Sequence, residues 1–104
     1  MTLLPPELAA QLPPIASERY AADPMVRMKF FTPDAEWTWY VVEGSREEET
    51  GDFLFYGFVV GPYPEWGSFR LSELESVRGW RRLPVERDFY FEPQRFSEIR
   101  EIRG

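Results

Sequence analysis

The 104 residues are 43% hydrophobic and 17% aromatic, enough apolar surface for one core and scarcely for two, so one domain is expected. Eighteen acidic against twelve basic side chains leave a formal charge of −6, which removes the counterion-release drive behind general nucleic-acid binding. With no histidine and no cysteine, Ser-His-Asp and Cys-His relays, disulfides and the usual nitrogen or sulfur zinc sites are all excluded.

No apolar run reaches the roughly 18 residues that span a bilayer, and the first residues lack the basic start and apolar stretch of a signal peptide. A cytoplasmic location without membrane contact follows as an expectation, and the missing cysteines fit a reducing compartment. Ten prolines divide the chain into short segments.

In chain order, Pro5-Pro6 opens a short helix to about Leu12, with Leu4, Leu8 and Leu12 on one face. Pro13-Pro14 stops it, and the connection to Pro24 is irregular, with a helical turn expected near Ser17 to Tyr20. Val26, Met28 and Phe30 alternate with Arg27 and Lys29 as a first strand, which turns at Thr32-Pro33-Asp34-Ala35. Residues 37–43 form a second strand with both faces covered, and 44–52, with its Glu47-Glu48-Glu49 run, is expected to be a mobile, solubilising hairpin loop.

Residues 53–60 form a third strand, where Gly57 marks a bulge or a close approach, and Gly61-Pro62-Tyr63-Pro64 ends it. Ser72 and Glu75 have capping-box spacing for a short helix that turns Leu74 and Val77 inward and stops near Gly79. Residues 85–91 are expected as a last strand with Phe89 and Phe91 on one face, before Pro93 and a closing helix from Ser97 with Ile99 and Ile102 inward. No internal repeat is visible. The fold class is therefore α+β, a twisted antiparallel sheet of about four to five strands with short flanking helices and a core of Phe30, Trp39, Val41, Phe55, Val59, Leu74 and Phe89.

Lys29-Phe30-Phe31-Thr32-Pro33, Trp37-Thr38-Trp39-Tyr40 with Glu43, Gly57 and Gly61, Pro64-Glu65 with Gly67, Leu71 with Glu73-Leu74, and Glu86-Arg87-Asp88 stand in one order along the chain. In these motifs the sequence resembles, end to end, the domain-of-unknown-function 2958 family, small bacterial proteins often carried on plasmids and other mobile elements. The resemblance implies a shared fold and brings no reaction, cofactor or partner with it. The chain departs from the family pattern at Trp66 and Ser68, in a longer acidic loop, and in Trp80-Arg81-Arg82.

The glycines are scattered singly, so no phosphate-binding loop is present and no cofactor is expected. Glu43, Glu65, Glu86 and Asp88 stand at strand ends, where converging acids could hold a hard cation for phosphoester chemistry. The simpler reading has them pairing with Lys29 and Arg87 or capping backbone amides. Glu86 and Asp88 share one strand face while Arg87 points to the other, which asks for a carboxylate partner such as Glu43 or Glu73.

Trp37, Trp39, Tyr40, Phe53, Phe55, Tyr56 and Phe58 could stack single-stranded bases, but rings of this size more simply fill the core. Arg78-Gly79-Trp80-Arg81-Arg82 is the one basic cluster, either a solvated loop or an anchor built on Trp80 and Arg81. The binding residues expected are Glu43, Glu65, Trp66, Trp80, Arg81, Glu86, Arg87 and Asp88. The expected partner is a protein rather than nucleic acid, and the expected state is a monomer or weak homodimer. A non-enzymatic accessory module is the leading reading, ahead of a carboxylate-based metal-dependent phosphoesterase or nuclease-like enzyme and of single-strand nucleic-acid binding.

Overall fold

The strongest period-two stretches of the sequence become the middle of the sheet. The computed structural model describes residues 2–18 and 20–103, the side chain of Arg103 excepted. In chain order it contains α1 (Pro6–Ala9), β1 (Met25–Val26), β2 (Met28–Phe31), β3 (Thr38–Arg46), β4 (Phe53–Val60), β5 (Glu65–Arg70), α2 (Leu71–Ser76), β6 (Glu86–Arg87), β7 (Gln94–Arg95), a 3-10 turn (Phe96–Glu98) and α3 (Arg100–Arg103). Five strands pair antiparallel in the order β5-β4-β3-β2-β6, and β1 pairs with β7 in a separate ribbon. The α+β architecture is the one the sequence predicts.

Alternation along the strands sends side chains to two covered faces. On the first, Phe30, Trp39, Val41, Phe55 and Phe69 pack beneath Leu3, Leu4 and Leu12 of the N-terminal segment and Leu74 of α2. On the second, Tyr40 and Val42 pack beneath Val26 of β1 and Ile99, with Phe58, Phe91 and Phe96 partly buried around them. Both layers depend on a bulge in β3. Val41 opposes Gly57 and Glu43 opposes Tyr56, so Val42 is the extra residue, and it and Glu43 both reach the second face. A Cβ on Gly57 would stand 1.9 Å from the Tyr40 carbonyl oxygen, so only glycine permits this approach of the β3 backbone.

Several expectations need correction. The predicted strand over residues 85–91 shrinks to Glu86–Arg87, because the Asp88 carboxylate accepts the Tyr90 N–H at 2.9 Å and turns the chain. Phe89, predicted in the core, is therefore 63% exposed, and Val59 is only partly buried against the first core. The acidic loop is shorter than predicted, since β3 runs on to Arg46, and Glu47 is engaged with Arg70 at 2.7 Å rather than idle in solvent. Residues 65–70, unassigned from sequence, form the edge strand β5. The predicted turn near Ser17 to Tyr20 includes Arg19, outside the described residues; beside it Ser17 N–H closes onto Pro14 O and Ala21 N–H onto Glu18 O.

Helix α2 starts at Leu71 with Arg70 as its N-cap, so Ser72 is not the cap. The Arg70 N–H donates to Glu73 Oε1 at 3.1 Å, while Ser72 gives its N–H and hydroxyl to Asp52 at 3.2 and 2.5 Å. The same arrangement recurs at the 3-10 turn, where Arg95 N–H donates to Glu98 Oε1 at 3.0 Å and Ser97 gives its N–H and hydroxyl to Asp23 at 2.9 and 2.6 Å. Arg70-Leu71-Ser72-Glu73-Leu74 and Arg95-Phe96-Ser97-Glu98-Ile99 are thus one pattern used twice, too short to register as a repeat in the sequence. Each ends in an apolar residue 1% exposed, Leu74 over one face and Ile99 over the other.

Candidate functional site

Glu43 is completely buried. Its two carboxylate oxygens accept the Ala16 N–H at 2.8 Å and the Glu18 N–H at 2.6 Å, while Ser45 Oγ accepts the Ile15 N–H and the Gly44 N–H donates to Pro13 O. A charged acceptor strengthens such bonds to about 1.5–3 kcal/mol each, so Glu43 ties the 13–18 segment onto β3. That is the amide-capping role the simpler reading gave it.

The other three acids do not converge with it: two of them are near neighbours at one sheet edge and the third stands at the other. Glu65 begins β5 at one edge, and Glu86 lies on β6 at the opposite edge, followed by Asp88. Among the described residues no group of three acids is placed to hold a metal ion. The carboxylate-based enzyme reading required such a convergence, and the geometry takes away its ligand set.

Asp88 instead joins Lys29, Tyr40 and Glu101. The Lys29 ammonium lies 3.7 Å from the Asp88 carboxylate and 2.9 Å from that of Glu101, and 5.6 Å from the centre of the Tyr40 ring. Burial, then the negative charge and hydrogen bond of Glu101, then Asp88, push the Tyr40 phenol far above its ordinary range. The hydrogen bond from Lys29 holds the Glu101 carboxyl below its usual value. The cluster secures α3 to β2 and β3.

Among the described residues Arg87 has no carboxylate partner, contrary to the sequence expectation. Its Nη1 donates to the Thr2 and Leu3 carbonyl oxygens, and its guanidinium lies 4.9 Å from the centre of the Phe89 ring. Backbone oxygens take up its donors because the N-terminal segment, rather than Glu43 or Glu73, is what packs beside β6.

The supposed stacking platform is divided between the two faces. Trp39, Phe53 and Phe55 belong to the first core, Tyr40 to the second, and Tyr56 and Phe58 are half-buried. Trp66 lies on the second face, stacked at 6.0 Å on Tyr56 and packed 4.8 Å from Phe96. It closes a ring cluster on the β4–β5 edge and remains 39% exposed.

The end of the molecule formed by the 33–37 turn and the 78–83 loop is different. Trp80 is 76% exposed there, with the Arg81 guanidinium 4.7 Å over its ring. The loop beneath it is held by Asp34, a buried residue read from sequence only as part of a turn. Asp34 Oδ2 accepts the N–H of Arg81 at 2.7 Å and of Leu83 at 3.3 Å. Gly79 lies so close over the same carboxylate that a Cβ would stand 1.8 Å from Oδ1. Arg78 caps the end of α2, donating to Glu75 O and Val77 O, each at 2.8 Å.

One hollow borders this loop, and a second lies beside Trp37, walled by the sheet and α2 rather than by the loop. The first, of about 600 Å³, is bounded by Pro33, Asp34, Glu36, Trp80, Arg81 and Leu83. The other, of about 350 Å³, is bounded by Trp37, Trp39, Phe69, Leu74 and Val77 with Glu73 at its side. Trp37, stacked on Trp39 at 6.0 Å, covers Gly61 and is 40% exposed. Nothing in the sequence signalled the Asp34 contact, because its partners lie 47 and 49 residues away.

No helix among the described residues is long and apolar enough to cross a membrane. No curated protein and no solved structure matches the chain. Residues 3–101 match the family model described as a protein of unknown function, DUF2958, and the chain belongs to that family.

Proposed function

Taking membership of the DUF2958 family as the premise, we propose that the protein is a non-enzymatic accessory module of a bacterium or of its mobile elements, docking a protein partner against Trp80. The observation that carries this is a three-quarters exposed tryptophan on a loop that a buried carboxylate holds in place. Tryptophan and arginine supply a disproportionate share of interface energy, and an anchor already fixed in its bound position loses little entropy on association. Of the two hollows, the one walled by Trp37, Trp39, Phe69 and Val77 suits an apolar side chain from the partner, while the one at Trp80 also carries Asp34, Glu36 and Arg81.

Capture from the native host tests this with the wild-type chain, Trp80→Ala, and Tyr63→Ala, the last removing a ring that is equally bare but borders neither hollow. Trp80→Ala is expected to lower recovery of the partner by about tenfold or more, and Tyr63→Ala to leave it unchanged. Full recovery with Trp80→Ala would sink the reading. So would a captured species that nuclease removes and whose affinity falls steeply with salt and with Arg81→Ala, the signature of a nucleic acid.

A further inference from the structure

Arg27 occupies the break between β1 and β2, where its N–H donates to Val41 O at 2.8 Å. Its side chain is half-buried, and the guanidinium Nε is fully buried without a hydrogen-bond partner. In a chain with eighteen carboxylates, none pairs with it among the described residues. A guanidinium has five donors and never loses its charge, so a buried N–H without an acceptor is costly, and an anion would satisfy the donors and the charge together.

Arg27 borders a hollow of about 240 Å³ whose wall also carries Arg87 and Gln11, with apolar sides from Leu8, Met28 and Phe91. The one acid at its rim, Asp88, is already engaged by the Lys29 ammonium and the Tyr90 N–H. Arg27, Gln11 and Arg87, whose Nη1 is already engaged by the Thr2 and Leu3 carbonyls, therefore line a small chamber with apolar sides. A cavity of ~150 Å³ admits benzene, so this chamber has room for a ring and an attached charged group.

We propose that this hollow binds a small organic oxyanion, a carboxylate or phosphate monoester on an apolar body, with Arg27 as the principal charge partner. The forked guanidinium matches both oxyanions, and the apolar wall favours a ring or short alkyl chain over the bare ion. The site is independent of the Trp80 surface and does not rest on the docking reading.

The test titrates the full chain with benzoate, phenyl phosphate and inorganic phosphate, following by NMR the Arg27 Nε–Hε resonance in the wild type and, in every variant, the backbone amides of Leu8, Gln11 and Met28, which line the hollow, with benzyl alcohol as the uncharged control. Benzoate or phenyl phosphate is expected to shift that resonance saturably with a Kd of about 1 mM or tighter, and whichever binds better identifies the oxyanion. Arg27→Gln should weaken binding about tenfold or more, and Arg27→Lys, which keeps charge without the fork, should fall between the two. Three results would overturn the proposal: no saturation by either aryl anion, benzyl alcohol binding as tightly as benzoate, or equal affinity in Arg27→Gln. Should Arg27→Gln fail to fold, the wild-type resonance and Arg27→Lys decide it alone.

Discussion

On one face of the sheet Leu74 is set by Arg70, Ser72 and Glu73, and on the other Ile99 is set by Arg95, Ser97 and Glu98, with a distant aspartate holding each serine. The local half of the device is the same in both places. What differs is where the aspartate comes from and what lies below. Asp52 belongs to the neighbouring β3–β4 turn and holds a six-residue helix that continues straight from β5. Asp23 comes from 74 residues away and holds a single 3-10 turn, after which Glu101 of α3 reaches Lys29. Leu74 borders two hollows, whereas Ile99 closes a layer containing the buried Tyr40. One pentapeptide thus starts a helix in either setting, while the long-range carboxylate decides which surface its last residue seals.

Truncating the two plugs is the most forceful way to break this equivalence. Leu74→Ala and Ile99→Ala should each destabilise by about 2–5 kcal/mol in urea unfolding, the range for emptying a buried aliphatic site. Ile99→Ala should cost the more, because a vacancy left at Leu74 adjoins two hollows and can be filled by water, whereas one left at Ile99 adjoins none of them. The reverse order would mean that the hollows beside Leu74 are filled by side-chain motion in solution.

The layer under Ile99 should also respond to alkali in a way the other face does not. Burial and the carboxylates of Glu101 and Asp88 raise the Tyr40 phenol above its ordinary value of 10.0. A group with a raised folded pKa contributes stability that is present below its unfolded value and disappears as the pH climbs from there through the folded one. Stability should therefore decline above about pH 10, and Tyr40→Phe should flatten that decline in a thermal-melting series across pH 8–11. An unchanged alkaline limb in Tyr40→Phe would assign the decline to the exposed tyrosines.

How much of this was legible in the sequence follows the range of the interactions. The alternation in β2, β3 and β4 is local and gave their positions, and the need for glycine at position 57 was visible as a break in a bulky run. Phe89 and Phe91 alternate just as well, yet the Asp88 side chain bonds the backbone two residues on and ends the strand, a competition that periodicity does not register. Ser72 looked like a cap because serine at that spacing usually is one, and only Asp52, twenty residues earlier, shows that its hydroxyl is engaged elsewhere. The Trp80 cluster was visible as composition. What makes it a presented anchor is Asp34, whose contacts span 47 residues or more. Arg27 alternated innocently within a strand pattern, and its unmatched Nε appears only once the strand breaks there.

The smallest effect expected separates the two aspartates themselves. Hydrogen bonding from Ser72, then from the backbone of Phe53 and Ser72, holds Asp52 below its ordinary value of 3.8, and Ser97 does the same for Asp23. A depressed carboxylate contributes stability that is present above its unfolded pKa and is lost as the pH falls through the folded one, so both belong to the acid limb. Asp52→Asn and Asp23→Asn should each lower the midpoint slightly at pH 7 and make the loss of stability between about pH 5 and pH 2 shallower than in the wild type. Asp52 receives three donors, from Phe53 N–H and both groups of Ser72, against two at Asp23, so its variant should show the greater flattening. Identical acid limbs in the two variants would show that the extra donor from Phe53 adds nothing, and that both aspartates act through their serines alone.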